Sequence, residues 1–246
     1  MDRLIYTALT GMNAAMDRQR MVANNLANAS TPGFRREAFT VTPATLRDGS
    51  FEARAMAQGV VRGVDLTAGK VTPTGKPLDV AVQGKAMIAF QASDGGEVYS
   101  RRGDLRIGAT GVLENGDGLP VMGNGGPVTV PAGSIVSIAE DGSVLVADPA
   151  VPDAPAQAID RIKLVSPEGS ELKKGIDTLI RVPDGGVLPP DPTARLTSGA
   201  LESSNVDTAT TLVDMIDAQR AFEQRAKVIS TASELDEAGS RLMSMS

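Results

Sequence analysis

Thirty aspartates and glutamates, 24 lysines and arginines, and no histidine or cysteine set the chemistry open to this 246-residue chain. Without cysteine there are no disulfides, thiolate nucleophiles or cysteine-held metals. Without histidine, the side chain that most often moves protons near neutral pH is missing, as is the commonest metal ligand. Catalysis would fall to carboxylates, lysine, tyrosine or serine. Three patterns come nearest to a site. Asn115-Gly116-Asp117-Gly118 offers oxygen ligands for calcium, but it lacks the roughly twelve-residue spacing and closing glutamate of a calcium loop and reads as a hairpin turn. Gly123-Asn124-Gly125-Gly126 has the look of a phosphate cradle, yet no Gly-Lys-Ser/Thr and no helix follow it. A carboxylate pair could serve glycoside hydrolysis. Nothing singles out such a pair, and five phenylalanines and two tyrosines are few to line a sugar cleft. No catalytic, cofactor-binding or metal-binding residue is assigned, and the chain reads as a non-enzyme.

The elements that would position any site are unevenly distributed. Residues 1–30 hold one glycine, Gly11, and no proline; residues 205–246 hold one glycine, Gly239, and no proline. Half of the 26 glycines fall between Gly84 and Gly142. This predicts two long helices bracketing a turn-rich β region. In the first helix Ile5, Ala8, Met12, Ala15, Gln19, Val22 and Leu26 repeat at alternating intervals of three and four. In the second, Leu212, Met215, Gln219, Phe222, Ala226 and Ile229 do the same. Both match a coiled-coil seam, or the inner face of an ordinary amphipathic helix. Asn24, Asn25, Asn28 and Ser30 weaken the first helix, and Thr31-Pro32-Gly33 ends it. Asp207 is an N-cap candidate for the second.

Between them, Leu78–Val82 alternates as a strand, and short apolar runs separated by Asp-Gly and Asn-Gly turns continue to Val165. The expected fold is α+β: N- and C-terminal helices paired in a coiled-coil-like terminal domain, with an inserted, mainly antiparallel β domain. The expected bounds are 1–34 and 203–246 for the helical domain, 35–77 and 183–202 for extended connecting segments, and 78–182 for the β-rich outer domain. Residues 1–36 carry a net charge of +3 and residues 205–246 a net charge of −3. Such charges choose partner and orientation rather than supply stability. The seam residues are few for helices of this length, so other copies are the expected source of the remaining burial.

A net charge of −6 speaks against a nucleic-acid partner. No apolar run nears the ~20 residues of a membrane span, so membrane insertion is not expected. Charges scattered through the first twenty residues leave no secretory-signal core. The expectation is a cytosolic protein, or one that leaves the cytosol without a cleaved signal.

Four stretches together resemble the bacterial flagellar rod and hook proteins. They are Ala23-Asn24-Asn25-Leu26-Ala27-Asn28-Ala29-Ser30-Thr31-Pro32-Gly33-Phe34, Pro77-Leu78-Asp79-Val80-Ala81-Val82-Gln83-Gly84, Gly199-Ala200-Leu201-Glu202-Ser203-Ser204-Asn205-Val206-Asp207, and Gln219-Arg220-Ala221-Phe222-Glu223. The opening Met1-Asp2-Arg3-Leu4-Ile5-Tyr6 and the ending Glu234–Met243 resemble the proximal-rod type most, with the distal-rod type as the nearest rival. One departure stands after Gly84, where the family carries aromatics and this chain has Met87 and Ile88.

The resemblance implies a structural subunit of the basal-body rod that polymerises helically with itself and with other rod and axial proteins. It implies that the subunit is delivered to the periplasmic rod by the flagellar type III export apparatus, and that it needs no cofactor. Ile5, Met12, Gln19, Val22, Leu26, Leu212, Met215, Gln219, Phe222 and Ile229 would be subunit-interface residues of the inner helices. Asn24, Asn25, Asn28, Pro32, Gly33 and Phe34 would form the family turn, and the asparagine amides would bond across subunits. The rival from another class is a secreted adhesin built on residues 78–182, which would have no use for long seamed helices.

Overall fold

The structure, a computed structural model, describes residues 2–48, 51–151, 155–175 and 177–244, with side chains over 8–39, 63–151, 155–175, 177–232 and 234. Two helices and sixteen strands are formed by the described residues. The chain divides into two compact units. One comprises Met1–Ala27, Glu37–Gly63 and Asp207–Ser246; the other comprises Asn28–Arg36 and Val64–Val206.

In the first unit, α1 (Asp2–Ala27) packs against α2 (Thr208–Ser244). Helix α2 begins just after Asp207 as its sequence predicts, whereas α1 stops at Ala27, before the Thr31-Pro32-Gly33 stretch expected to end it. Asp207 Oδ1 accepts the Thr210 N–H at 2.7 Å and so satisfies one of the free donors at the start of α2. The helices approach closely at Gly11, whose carbonyl accepts a hydrogen bond from the Arg225 guanidinium. A Cβ at Gly11 would lie 2.7 Å from Arg225 Nη1. The same unit holds β1 (Glu37–Asp48) and β2 (Phe51–Val64), which pair as a two-stranded sheet. These strands of 12 and 14 residues replace much of the connecting segment expected over 35–77. Pro43, Gly59 and Gly63 break the alternation by which a strand is recognised.

The second unit is the β body. Its largest sheet has the order β12-β5-β6-β14-β13, formed by Leu164–Val165, Met87–Gln91, Glu97–Ser100, Ile180–Arg181 and Lys173–Lys174. A three-stranded sheet pairs β11 (Gln157–Arg161), β10 (Ser143–Ala147) and β9 (Ile135–Ile138). Three two-stranded pairs complete it: β15 (Leu196–Ser198) with β4 (Val80–Val82), β16 (Ala200–Glu202) with β3 (Val71–Pro73), and β7 (Leu105–Ile107) with β8 (Leu113–Asn115). All these pairings are antiparallel.

Strand β5 is buried on both faces. Alternation sends Ile88 and Phe90 into the main core with Val80, Leu113, Val121, Val144 and Leu196. Met87 and Ala89 go to a second cluster with Tyr99, Val165, Ile180 and Leu188. Met87 and Ile88, the departure from the family's aromatics, are thus fully enclosed, one in each cluster. The segments 64–77 and 183–202 also belong to this unit, so the β body is larger than the 78–182 expected from sequence. Their short strands pair only with distant partners, which local patterning does not reveal.

Candidate functional site

The family turn and the two helix faces are the places where function was expected. In the first unit, Asn25 is buried near the end of α1. Its Oδ1 accepts the Glu37 N–H at 3.0 Å, and its Nδ2 donates to the Glu37 carbonyl at 3.2 Å and to Met21 Sδ at 3.3 Å. The amide therefore pairs with Glu37 much as a neighbouring strand would. Asn24 Nδ2 donates to Glu37 Oε1 at 2.7 Å. Within one copy the Asn25 amide is thus engaged by Glu37 and Met21. A buried polar group takes the first partner that local geometry supplies.

The rest of the turn lies in the β body. Thr31 Oγ1 donates to Asn28 Oδ1 at 3.2 Å, and the Thr31 N–H donates to the Asn28 carbonyl at 3.2 Å. Gly33 has φ +66° and donates its N–H to the Glu202 carbonyl at 2.7 Å. A Cβ there would stand 2.2 Å from the Arg101 carbonyl oxygen, so both conformation and space demand glycine. Pro32 is half-buried and Phe34 is buried. Lys174 Nζ lies 3.5 Å from the Phe34 ring centroid, a cation–π contact, and donates to the Arg35 carbonyl at 2.6 Å.

Beneath the turn is a cluster that sequence reasoning missed. Glu202, Arg35 and Arg101 are all buried. Glu202 Oε1 meets Arg35 Nη2 at 2.5 Å and the Gly69 N–H at 2.7 Å, and Oε2 meets Arg101 Nε at 2.8 Å. Arg101 also donates to the carbonyls of Gly84 at 2.7 Å, Ala86 at 2.9 Å, and Val82. Burial lowers the Arg101 pKa, Glu202 opposes that shift, and Arg35 adds to it. Arg35 Nε and Nη1 are buried without a hydrogen-bond partner. Asn205 extends the tie: its Oδ1 accepts the Arg36 N–H at 2.7 Å, and its Nδ2 donates to the carbonyls of Asp65 at 2.8 Å and Thr67 at 3.1 Å. The residues that follow α1 and those that precede α2 are thereby fixed to each other inside one unit. One signal was present in sequence: alternation along Ala200-Leu201-Glu202 turns Glu202 to the same side as Ala200. A carboxylate on a buried side must have cationic or N–H partners.

The helix faces differ from the seams read in sequence. On α1, Val22 is buried, while Met12, Gln19 and Leu26 are half-buried. The Ile5 side chain lies outside the described residues. On α2, Met215, Phe222 and Ile229 are half-buried, but Leu212 and Gln219 face solvent. The buried positions are Thr211, Ala218 and Ala232. The inward stripe is therefore 211, 215, 218, 222, 226, 229 and 232. It is displaced by one residue from the expected seam at two positions, because α2 carries apolar residues on more than one face.

The sequences that suggested ligands close on themselves. Asn115 is buried, and its Oδ1 accepts the N–H groups of Asp117 at 2.9 Å and Leu119 at 3.0 Å. Asp117 pairs with Arg102 at 2.6 Å. In the glycine loop, Asp160 Oδ1 accepts the Asn124 N–H at 3.3 Å, which places a carboxylate against that loop. Among the described residues no group of three or more acidic side chains could hold a metal, and no helix is long and apolar enough to cross a membrane.

Comparison with known proteins agrees along the whole chain. Residues 5–35 match the family model "Flagella basal body rod protein", residues 81–146 the "Flagellar hook protein FlgE/F/G D1 domain", and residues 197–242 the "Flagellar basal body rod FlgEFG protein C-terminal". The flagellar basal-body rod protein FlgF of Salmonella typhimurium is 39% identical over 100% of both chains, and that of Escherichia coli is 38% identical over the same extent. FlgG of Bacillus subtilis is 28% identical over 95% of this chain and 96% of its own. The chain belongs to the flagellar basal-body rod proteins, whose members are structural. Within that family the similarity is to the FlgF type, with the FlgG type further away.

Proposed function

We propose that this chain is a structural subunit of the proximal part of the rod, and that it polymerises helically through its terminal helices to form a torque-transmitting shaft. The helices, in coiled-coil-like contact within and between copies, line the inner tube. Ile5, Met12, Gln19, Val22, Leu26, Leu212, Met215, Gln219, Phe222 and Ile229 serve as interface residues, and Asn24 to Phe34 serve as the turn. The partners are further copies, other rod and axial proteins, and the type III export apparatus that delivers the chain to the periplasm. The role needs no catalysis, cofactor, nucleic acid or membrane insertion.

The observation that carries this reading is the Glu202 cluster. It ties the segment leaving α1 to the segment entering α2 across 167 residues of sequence, as a subunit must if both ends are to enter one assembly. Deleting residues 1–20 tests it. Electron microscopy of purified basal bodies should show rods missing or shortened, with restoration by the full-length chain. Intact rods with the deleted chain would reject the reading.

A further inference from the structure

A cavity of about 20 Å3 lies within the β body, between the family turn, the end of β6 and the start of β14. A single water needs about 10–15 Å3 of such space, so this cavity takes one particle slightly larger than a water. It has no room for a phosphate, a sulfate or a side-chain carboxylate.

Arg35 borders the cavity. Its side chain is 1% exposed, and its Nη2 is held by the Glu202 carboxylate. Nε and Nη1 are buried and have no hydrogen-bond partner among the described residues. Buried N–H groups of a cation are costly without an acceptor, and the cavity is where an acceptor can reach this guanidinium. Two hydroxyl residues line the same space. Ser100 Oγ accepts the Arg102 N–H at 3.1 Å, which leaves its own O–H to donate. Thr178 stands at φ +67°. That left-handed backbone is an outlier for a β-branched residue, and such strain gathers at ligand sites.

Charge decides what the acceptor is. Arg35 and Arg101 share the single carboxylate of Glu202, so the enclosed cluster holds one positive charge in excess. At the rim Arg102 binds Asp104 at 2.7 Å and Asp117 at 2.6 Å, an excess of one negative charge, but Asp117 is half exposed and screened by solvent. Lys174, over the Phe34 ring, restores the positive excess. A water would accept an N–H and leave that excess in place. A monatomic anion supplies acceptor and charge together. Nε and Nη1 lie on different edges of the planar guanidinium, so one ion takes one of the two.

We infer that this cavity binds a single halide ion, chloride in ordinary salt, between the Arg35 guanidinium and the hydroxyls of Ser100 and Thr178. The ion is structural: it neutralises the cluster beneath the family turn. The site belongs to the single copy and does not rest on the assembly reading.

The purified full chain is unfolded in urea at constant ionic strength, with methanesulfonate replaced stepwise by chloride. The unfolding constant should fall about threefold or more by about 0.2 M chloride, and saturably, as binding to the folded state alone requires. Arg35→Met should abolish that dependence. Thr178→Gly, which drops the hydroxyl and relieves the backbone, should weaken it. An equal effect of the two salts, or a chloride effect that Arg35→Met keeps in full, overturns the inference. If Arg35→Met does not fold, Thr178→Gly decides in its place, and full retention of the chloride effect there overturns it equally.

Discussion

Arg35 and Glu202, 167 residues apart in sequence, meet at 2.5 Å with both side chains closed to solvent. Arg101 takes the other carboxylate oxygen at 2.8 Å. Two guanidinium groups thus share one carboxylate in the interior, and Arg35 keeps Nε and Nη1 unpartnered. The cluster is unbalanced in charge, and that imbalance sets how its members should respond to mutation.

Glu202→Ala should be the most damaging change in the β body. It leaves two buried cations unpaired and removes the acceptor of the Gly69 N–H, at a cost of about 3–5 kcal/mol. Arg35→Met should cost clearly less, since it leaves one cation with one carboxylate and removes two orphaned donors. Denaturant unfolding of the two variants checks the order. Equal losses, or a worse outcome for Arg35→Met, would contradict the account of the cluster.

Two glycines in the family-matched N-terminal region should behave differently. Gly33→Ala meets both a left-handed backbone and the Arg101 carbonyl at 2.2 Å, so destabilisation of about 2 kcal/mol or more is expected. At Gly11 the obstruction is Arg225 Nη1 at 2.7 Å, the far end of a flexible side chain, and φ is ordinary. Gly11→Ala should therefore cost under about 1 kcal/mol, with alanine's better helix propensity offsetting the displaced guanidinium. Thermal melts of both variants provide the comparison.

Much of this fold is readable in the sequence because its signals are local. The start of α2 follows from Asp207, the end of α1 falls within the Asn24–Ser30 stretch that weakens it, and many strands of the β body follow from short apolar runs ended by Asp-Gly or Asn-Gly turns. What escapes is whatever lacks a regular local pattern or depends on distant pairing. The β1–β2 sheet is hidden because Pro43, Gly59 and Gly63 interrupt its pattern. Arg35 and Arg101 look like ordinary surface arginines until Glu202 is brought between them. The seam drawn along α2 mixes faces for another reason. Apolar residues at 212, 213 and 216 compete with those at 215 and 222, so a three-four spacing can be drawn through a mixture of two faces.

Asn25 should act through the backbone of Glu37. Asn25→Ala removes the acceptor of the Glu37 N–H and the donor to its carbonyl. A loss of about 1–3 kcal/mol is expected for these part-buried groups, with faster hydrogen exchange at the Glu37 amide. Asn25→Asp keeps the acceptor and should retain protection at that amide. Unchanged exchange in Asn25→Ala would show that the side chain does not hold the start of β1.

The cap of α2 should depend on pH. Hydrogen bonds from Thr210, through its side chain and its backbone N–H, hold the Asp207 carboxyl below its ordinary value. Because the folded pKa is depressed, the stabilisation is present above the unfolded value of about 3.9 and is lost as pH falls through the folded one. Helical circular dichroism recorded between about pH 5 and pH 2 should show an acid-sensitive component that Asp207→Asn, which still caps, abolishes. An identical acid limb in the Asn variant would assign that component elsewhere.

Tyr99 gives the opposite sign at the alkaline end. Its ring is fully buried, and its hydroxyl accepts the Leu188 N–H at 2.7 Å. Burial pushes the phenol up to about 12, with the Leu188 N–H opposing and Glu97 adding to the shift. A raised folded pKa contributes stability that is fully present below the unfolded value of about 10 and is lost as pH climbs toward about 12. Stability should therefore fall across that window, and ultraviolet titration of the folded chain should show a tyrosine that ionises only at its upper end. Tyr99→Phe should flatten the alkaline slope while costing about 1–3 kcal/mol at neutral pH, because the buried Leu188 N–H loses its acceptor. The two effects must appear together. A flattened slope without the neutral cost would mean that Leu188 finds another partner, and a neutral cost without flattening would mean that the hydroxyl is not protected from ionisation.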